Sequence, residues 1–229
     1  MDLLKKNTIL CDIDATVTDV YPEHSHAIFR DSIFNIFSRH IARRRKIGLD
    51  EAHCVLNDFA DNLMVWWDYP DFITNFDLDP IAVWKEMRQV HQDMLYVYED
   101  AVEMVKHLHS LGKNLYIVSN NPVTGCFLKL EAAGLANLSR TPYFKRIFGT
   151  NVTHGMKSQV QMWKRIVANL GVDPSEIVII GDSLKEDFEV PHSAGIGNTI
   201  IVDRKSKHAV ENRSGYIAVN SLSHVNGKL

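Results

Sequence analysis

The stretch "ILCDIDATVTD", residues 9–19, decides how this chain folds and where its chemistry sits. Ile9, Leu10 and Cys11 continue an apolar run begun at Thr8. Asp12 and Asp14 then interrupt it, two residues apart, ahead of Thr16 and Thr18. A short apolar run of this kind reads as a buried strand over 8–14. Side chains two apart on a strand share a face, so the two carboxylates are aimed together at its end. Taken alone, they serve equally well to close a strand in a turn. What decides between a turn and a site lies in the rest of the chain.

Four further runs share the character of the first: "NLYIVSN" (114–120), "EIVIIGD" (176–182), "NTIIVD" (198–203) and "YIAVN" (216–220). "RIFGT" (146–150) is a shorter sixth. Helical patterns separate several of them. Residues 99–113 place Val102, Val105 and Leu108 on one face and stop at Gly112. Residues 122–135 run from Pro122 to Gly134, the expected start and stop residues. Residues 158–172 carry Val160, Trp163, Ile166, Val167 and Leu170 at helical spacing. Strands apolar on both faces that alternate with such helices predict an α/β fold, a Rossmann-like three-layer core with a parallel sheet covered on both sides.

Residues 19–95 break the alternation. A long amphipathic pattern over 23–48 has Ile28, Phe29, Ile33, Ile36, Phe37 and Ile41 as its expected buried stripe. A second helix is predicted over 49–64, and a third over 79–95 with Asp79 as cap and Pro80 in its first turn. Aromatic residues crowd the middle, with Trp66 and Trp67 read as packing rather than substrate contacts. The expected organisation is a core of residues 1–18 and 96–229 with a helical cap inserted as residues 19–95.

The chain has 229 residues, 45% apolar and 23% charged, with a net charge of −3. That balance lacks the basic excess of a nucleic-acid binder. The basic run "ARRRK" (42–46) falls in the last turn of a predicted helix, where cations suit the dipole. No window approaches the roughly 18 uninterrupted apolar residues of a membrane span. The first residues run from a short apolar segment straight into acids, unlike a signal peptide. Cys11, Cys54 and Cys126 are scattered, with no CxxC pair. A reduced, cytoplasmic setting is the expectation, and the triplets at Asn137, Asn151 and Asn212 are then chance glycosylation matches. The eleven histidines show no metal-ligand spacing. His24 and His26 lie beside the expected junction of core and cap, where a surface role is expected.

In a parallel α/β sheet, ligands bind beyond the carboxyl ends of the strands. Here those ends carry Asp12, Asp14 and Thr16 on the first strand, and Ser119, Asn120 and Asn121 on the second. A later strand contributes Gly181, Asp182 and Ser183, with Asp187 following. Clustered carboxylates resist burial unless a proton or a cation offsets them. A hard divalent cation such as Mg²⁺ prefers oxygen ligands of this sort. Lys157, ahead of a helix where its charge opposes the dipole, is the fixed cation that a transferring phosphoryl group needs. Ser119 with Asn120, and Asp182 with Asp187, also suit helix capping; at a helix start the two uses are compatible, since the same N–H groups bind phosphate.

Four motifs in order resemble the haloacid dehalogenase superfamily of Mg²⁺-dependent phosphohydrolases. "DIDAT" matches the first at Asp12, Asp14 and Thr16, and Ser119 in "LYIVSNN" the second. Lys157 in "MKSQVQMWKRIVANLGVDP" matches the third, and "GDSLKED" the fourth at Asp182 and Asp187. The resemblance covers residues 1–18 and about 96–220. It departs at Ala15, where the family usually has glycine, and at Glu186, where it often has asparagine. It implies a phosphatase for a small-molecule phosphate ester, with Asp12 as nucleophile and Asp14 as acid and base. It implies Mg²⁺ on the Asp12 carboxylate, the Asp14 carbonyl and Asp182. Thr16, Ser119, Asn120 and Lys157 would bind phosphate, supported by Asp187 and Ser183. A phosphomutase of the same superfamily and a catalytically silent binding protein are the alternatives. Asp14 argues against dehalogenase chemistry, whose halide leaving group needs no proton. Oligomeric state is left open.

Overall fold

A computed structural model describes residues 5–63, 65–137 and 140–225. Met64 at the end of the expected second helix, the two residues after Asn137 in its triplet, and both chain ends lie outside the described residues. Seven strands form one sheet: β1 (Thr8–Cys11), β4 (Asn114–Val118), β5 (Arg146–Phe148), β6 (Ile177–Gly181), β7 (Asn198–Val202), β8 (Val210–Arg213) and β9 (Tyr216–Val219). Their order is β5-β4-β1-β6-β7-β9-β8, parallel throughout except for β8, which runs antiparallel on the edge. β1 lies between β4 and β6, with Cys11 opposite Ile117 on one side and Ile180 on the other.

The period of two sorts the strand residues onto two cores. Ile9, Cys11, Leu115, Ile117, Val178 and Ile180 face one, and Leu10, Val118, Ile177 and Ile179 the other. The first face is covered by α5 (Glu99–Ser110) and α6 (Val123–Ala132), the second, after the single turn α7 (Thr150–Thr153), by α8 (Val160–Leu170), whose Trp163 is fully buried. Each helix stops where the sequence signals it: Gly112, Gly134 and Gly171 follow with positive φ.

The segment from 26 to 94 is helical: α1 (His26–Arg45), α2 (Leu49–Asp58) running into a wider turn at Phe59–Leu63, α3 (Tyr69–Asn75) and α4 (Pro80–Met94). Ser25 caps α1 through Ile28 N–H, and Asp79 caps α4 through Ile81 and Ala82 N–H. Phe29, Ile33, Ile36, Phe37 and Ile41 form the buried stripe of α1, but Ile28 is 52% exposed. It sits about 100° around the helix from Phe29, on the shoulder of the stripe. These helices share a core with Leu56, Phe72, Val83 and Met87, joined by Leu128 from α6. Trp67 packs on Phe72 there, with ring centroids 4.8 Å apart.

Two short strands bracket this segment. β2 (Thr18–Val20) and β3 (Leu95–Val97) pair antiparallel, Thr18 opposite Val97. Tyr98 N–H adds a bond to Val17 O at 3.0 Å. The chain thus leaves and re-enters the sheet layer side by side, directly beyond the acids of β1. No helix among the described residues is long and apolar enough to cross a membrane.

Candidate active site

β1 ends at Cys11, earlier than the predicted Asp14, because the backbone turns there. Asp12 N–H makes a last ladder bond to Ile180 O at 2.8 Å, and Val17 and Thr18 N–H both return to Ile13 O at 2.9 Å. That tight loop needs a left-handed residue, and Ala15 supplies it with φ 54°. A glycine would hold this conformation freely, whereas an L-residue pays roughly 1 kcal/mol or more. Within this loop the Asp14 side chain is 36% exposed, where that of Asp12 is 6%. Asp12 is buried and its Oδ2 accepts from Thr16 Oγ1 at 3.1 Å. Thr16 itself is wholly buried, so its hydroxyl braces the carboxylate and offers no surface to a ligand.

Lys157 lies in a turn three residues before α8. Its ammonium is 2.5 Å from Asp12 Oδ1 and 2.7 Å from Asp187 Oδ1. Its backbone is held on both sides: the N–H donates to Asn120 Oδ1 at 2.7 Å, and the carbonyl accepts from Trp163 Nε1 at 2.8 Å. Burial works against the charge of Lys157, but the two carboxylates hold its ammonium well above the usual lysine range.

At the end of β6, Asp187 is buried and Ser183 N–H donates to its Oδ2 at 3.1 Å. Ser183, not Asp182 or Asp187, caps the following turn, accepting from Glu186 N–H. Gly181 is required here, since a Cβ would fall on the Asp187 carboxylate. Carboxylate oxygens of Asp12, Asp182 and Asp187 lie within 4.8 Å of one another. Beyond the Lys157 ammonium, Asp187 Oδ1 has no partner among the described residues. Burial, then the charge of Asp187, pushes Asp182 up to about 6. Burial also raises Asp12, more than Lys157 lowers it. These acids are short of positive charge, and an all-oxygen set of this kind fits a hard divalent cation.

The end of β4 closes the site. Ser119 is buried, and its Oγ accepts from Asn121 N and Nδ2 at 3.1 and 3.0 Å. Asn120 Nδ2 donates to Glu186 Oε2 at 2.9 Å, which gives the departure at Glu186 a role: it fixes the amide that fixes Lys157. Asp12, Asp14, Ser119, Asn120, Lys157, Asp182 and Ser183 line a cavity of about 260 Å³, with His26 at its edge. His26 also lies 3.4 Å from Asp19 and is largely exposed.

Asp14 has two partners: Lys129, which the sequence reading does not single out, and Asn121, which it places at the strand end without a contact. Lys129 on α6 is buried and ion-paired with Asp14 Oδ1, and Asn121 Nδ2 donates to Oδ2. Burial alone would raise the Asp14 carboxyl; the charge and hydrogen bond of Lys129, with Asn121, overcome it and hold it below the usual range. A signal for Lys129 existed. It falls three residues after Cys126 and four before Ala133, both buried, so it interrupts an inward face. At the start of the same helix, Asp68 accepts from Thr124 N and Oγ1 and from Asn151 Nδ2, tying α3 to the sheet layer. Asn151, in its glycosylation-like triplet, is thus engaged internally.

Acids from two adjacent parallel strands, a buried lysine between them and a half-enclosed cavity above define an α/β hydrolytic enzyme. The chain belongs to the haloacid dehalogenase-like hydrolase family, whose profile matches residues 6–195. Enolase-phosphatase E1 of Zygosaccharomyces rouxii is 25% identical, over 93% of this chain and 96% of that protein. The same enzyme of Sorangium cellulosum is 25% identical over 95% and 100%. The Pseudomonas fluorescens enzyme is 32% identical over 114 residues, about half of each chain. Among solved structures, a HAD phosphatase from Thermococcus onnurineus superposes with TM-score 0.58 at 24% identity, covering 96% of this chain and 95% of that one. L-2-haloacid dehalogenase from Xanthobacter autotrophicus does so with TM-score 0.56 at 14% identity, covering 98% and 100%. The fold is common to phosphatase and dehalogenase, so the reaction has to be read from the side chains.

Proposed function

We propose that this hydrolase is a phosphatase acting on a small phosphomonoester through an aspartyl-phosphate. The observation that carries the reading is the placement of Asp12 between Lys157 and Thr16, with a second carboxylate, Asp14, on the same cavity. Asp12 attacks phosphorus; the P–O bond to the alcohol breaks as a bond from Asp12 to phosphorus forms. Asp14, ionised while it faces Lys129, takes up a proton as it turns to the ester oxygen and gives it to the leaving alcohol; it then takes a proton from the water that attacks phosphorus, the bond from phosphorus to Asp12 breaks, and inorganic phosphate is released. Ser119, Asn120 and the ammonium of Lys157 hold the phosphoryl oxygens, and Asp187 keeps Lys157 in position. Mg²⁺ would be held by Asp12, Asp182 and the Asp14 carbonyl and would neutralise charge on the phosphoryl group. Asp14 favours an ester over a halide, since an alkoxide needs a proton to leave and a halide does not. The enolase-phosphatase relatives point to the same substrate class, a small-molecule phosphate ester.

In this reading residues 19–95 are a cap over a core of 1–18 and 96–229, hinged at the β2–β3 pair, and closure over the site excludes water. The test is hydrolysis of 4-nitrophenyl phosphate with Mg²⁺, against Asp12→Asn. Loss of turnover in the variant supports the reading; full Mg²⁺-dependent activity without Asp12 overturns it. Retention of phosphate on a sugar, in place of its release, would instead identify a phosphomutase.

A further inference from the structure

Beside the acid cluster, a second cavity of about 390 Å³ lies between α1, the loop before α3 and the start of α6. It shares Asp14, His26 and Asn120 with the first, and so adjoins it on the side of Asp14, the acid that would serve the leaving group. Its lining is rich in aromatic residues, Phe29, Trp66 and Trp67 among them, and includes Arg30. In its wall is Lys129, only 5% exposed, its ammonium 5.7 Å from the centre of the Phe29 ring.

A buried ammonium needs a counter-charge. Among the described residues, Asp14 is the only acid ion-paired with Lys129. The neighbouring side chain of His91 brings no negative charge, and its Nδ1 is engaged with Met87 O at 2.8 Å. In the reaction proposed above, Asp14 must turn to the ester oxygen. It then gives up at least part of its contact with Lys129, and no second acid among the described residues is paired with that ammonium to replace it. The aromatic walls stabilise an apolar body but supply no anion.

We infer that Lys129 is a specificity-determining residue: it selects phosphate esters whose alcohol part carries a second anionic group, a carboxylate or a phosphate, on an apolar body. That group takes the place of Asp14 against the Lys129 ammonium while Asp14 serves the ester oxygen. A neutral alcohol leaves Lys129 buried and unpaired at that moment. The inference rests on the phosphatase reading and narrows it. Attack by Asp12 on phosphorus and departure of the protonated alcohol are unchanged; the second anion takes no part in bond making or breaking.

The experiment compares esters alike in shape and different in charge. The probes are 4-carboxyphenyl phosphate, its neutral amide 4-carbamoylphenyl phosphate, and 1,4-phenylene bisphosphate, each with Mg²⁺. The wild-type enzyme should favour the carboxylate or the bisphosphate over the amide by about tenfold or more in kcat/KM, as for a charged hydrogen bond. Which of the two leads identifies the anion. Lys129→Met should bring that ratio close to one, and Lys129→Arg, which keeps the charge, should preserve a preference. The ratio is internal to each protein, so a loss of folded enzyme does not disturb it, and the wild-type ratio stands without any variant. Equal turnover of charged and neutral esters by the wild type overturns the inference, as does a preference that survives in Lys129→Met. If no ester is hydrolysed at all, the phosphatase reading itself fails, and this inference with it.

Discussion

Asn120 Oδ1 accepts the backbone N–H of Lys157 at 2.7 Å, so the residue after Ser119 at the end of β4 sets where the buried ammonium stands between Asp12 and Asp187. Glu186 in turn holds the Asn120 amide at 2.9 Å. A lysine held through its main chain keeps a fixed charge without help from the ligand. Asn120→Ala removes this link and leaves a buried N–H without its acceptor. The expected cost is about 1–3 kcal/mol of stability. A fall in kcat of tenfold or more should accompany it, since displacing the ammonium by about 1 Å is enough to matter. Urea unfolding and steady-state kinetics on 4-nitrophenyl phosphate check both.

Ala15 holds a left-handed conformation that glycine adopts without strain. Ala15→Gly should relieve strain and raise unfolding free energy, by about 0.5–1 kcal/mol after the greater entropy of the unfolded glycine is counted. Ala15→Val, β-branched at the same φ, should lower it. Denaturant melts of the two variants give opposite signs if the loop has this geometry.

Gly181 has no room for a side chain, because a Cβ would meet the Asp187 carboxylate. Gly181→Ala should therefore push Asp187 away from Lys157 and destabilise the end of β6. Loss of stability of about 1–3 kcal/mol is expected, as for overpacking in a core. Weaker Mg²⁺ dependence of turnover should accompany it, read from a metal titration.

His91 is buried on α4, with Nδ1–H donating to Met87 O and Nε2 without a partner among the described residues. Burial lowers its proton affinity from the ordinary 6.5 to about 4. Between those values the unfolded chain binds a proton that the folded chain refuses. Stability is therefore complete above about pH 6.5 and is lost as pH falls toward 4, by up to about 3 kcal/mol. His91→Leu should flatten that part of the stability curve. Urea midpoints of both proteins from pH 7 to pH 4.5 test it; parallel curves would contradict the assignment.

The strands that carry the site were legible because each is buried on both faces and ends in polar residues. β1, β4 and β6 are apolar runs broken by Asp12, Ser119 and Asp182. β2 and β3 were not legible: each has three residues and no pattern of its own, and each exists only through pairing with the other across the inserted helices. β8 is mostly exposed, so its sequence carries no burial signal. α3 was hidden in an aromatic stretch, its start set by the Asp68 capping box. In the site, residue types at strand ends could be read, but the ties between them could not. Lys129 reaches Asp14 across 115 positions, and Asn120 reaches Lys157 across 37. Thr16 illustrates the limit: its position two residues after Asp14 is plain in the sequence, while the direction of its buried hydroxyl, toward Asp12, is not.

The central claim is that Asp12 is the nucleophile. The most direct measurement is borohydride reduction of enzyme quenched during turnover with Mg²⁺ and 4-nitrophenyl phosphate, followed by peptide mass spectrometry. An aspartyl-phosphate at Asp12 is reduced to homoserine, so the account predicts homoserine at position 12, present only with substrate and absent from Asp12→Asn. Continued turnover with Asp12 unmodified, or homoserine at another aspartate, would contradict it.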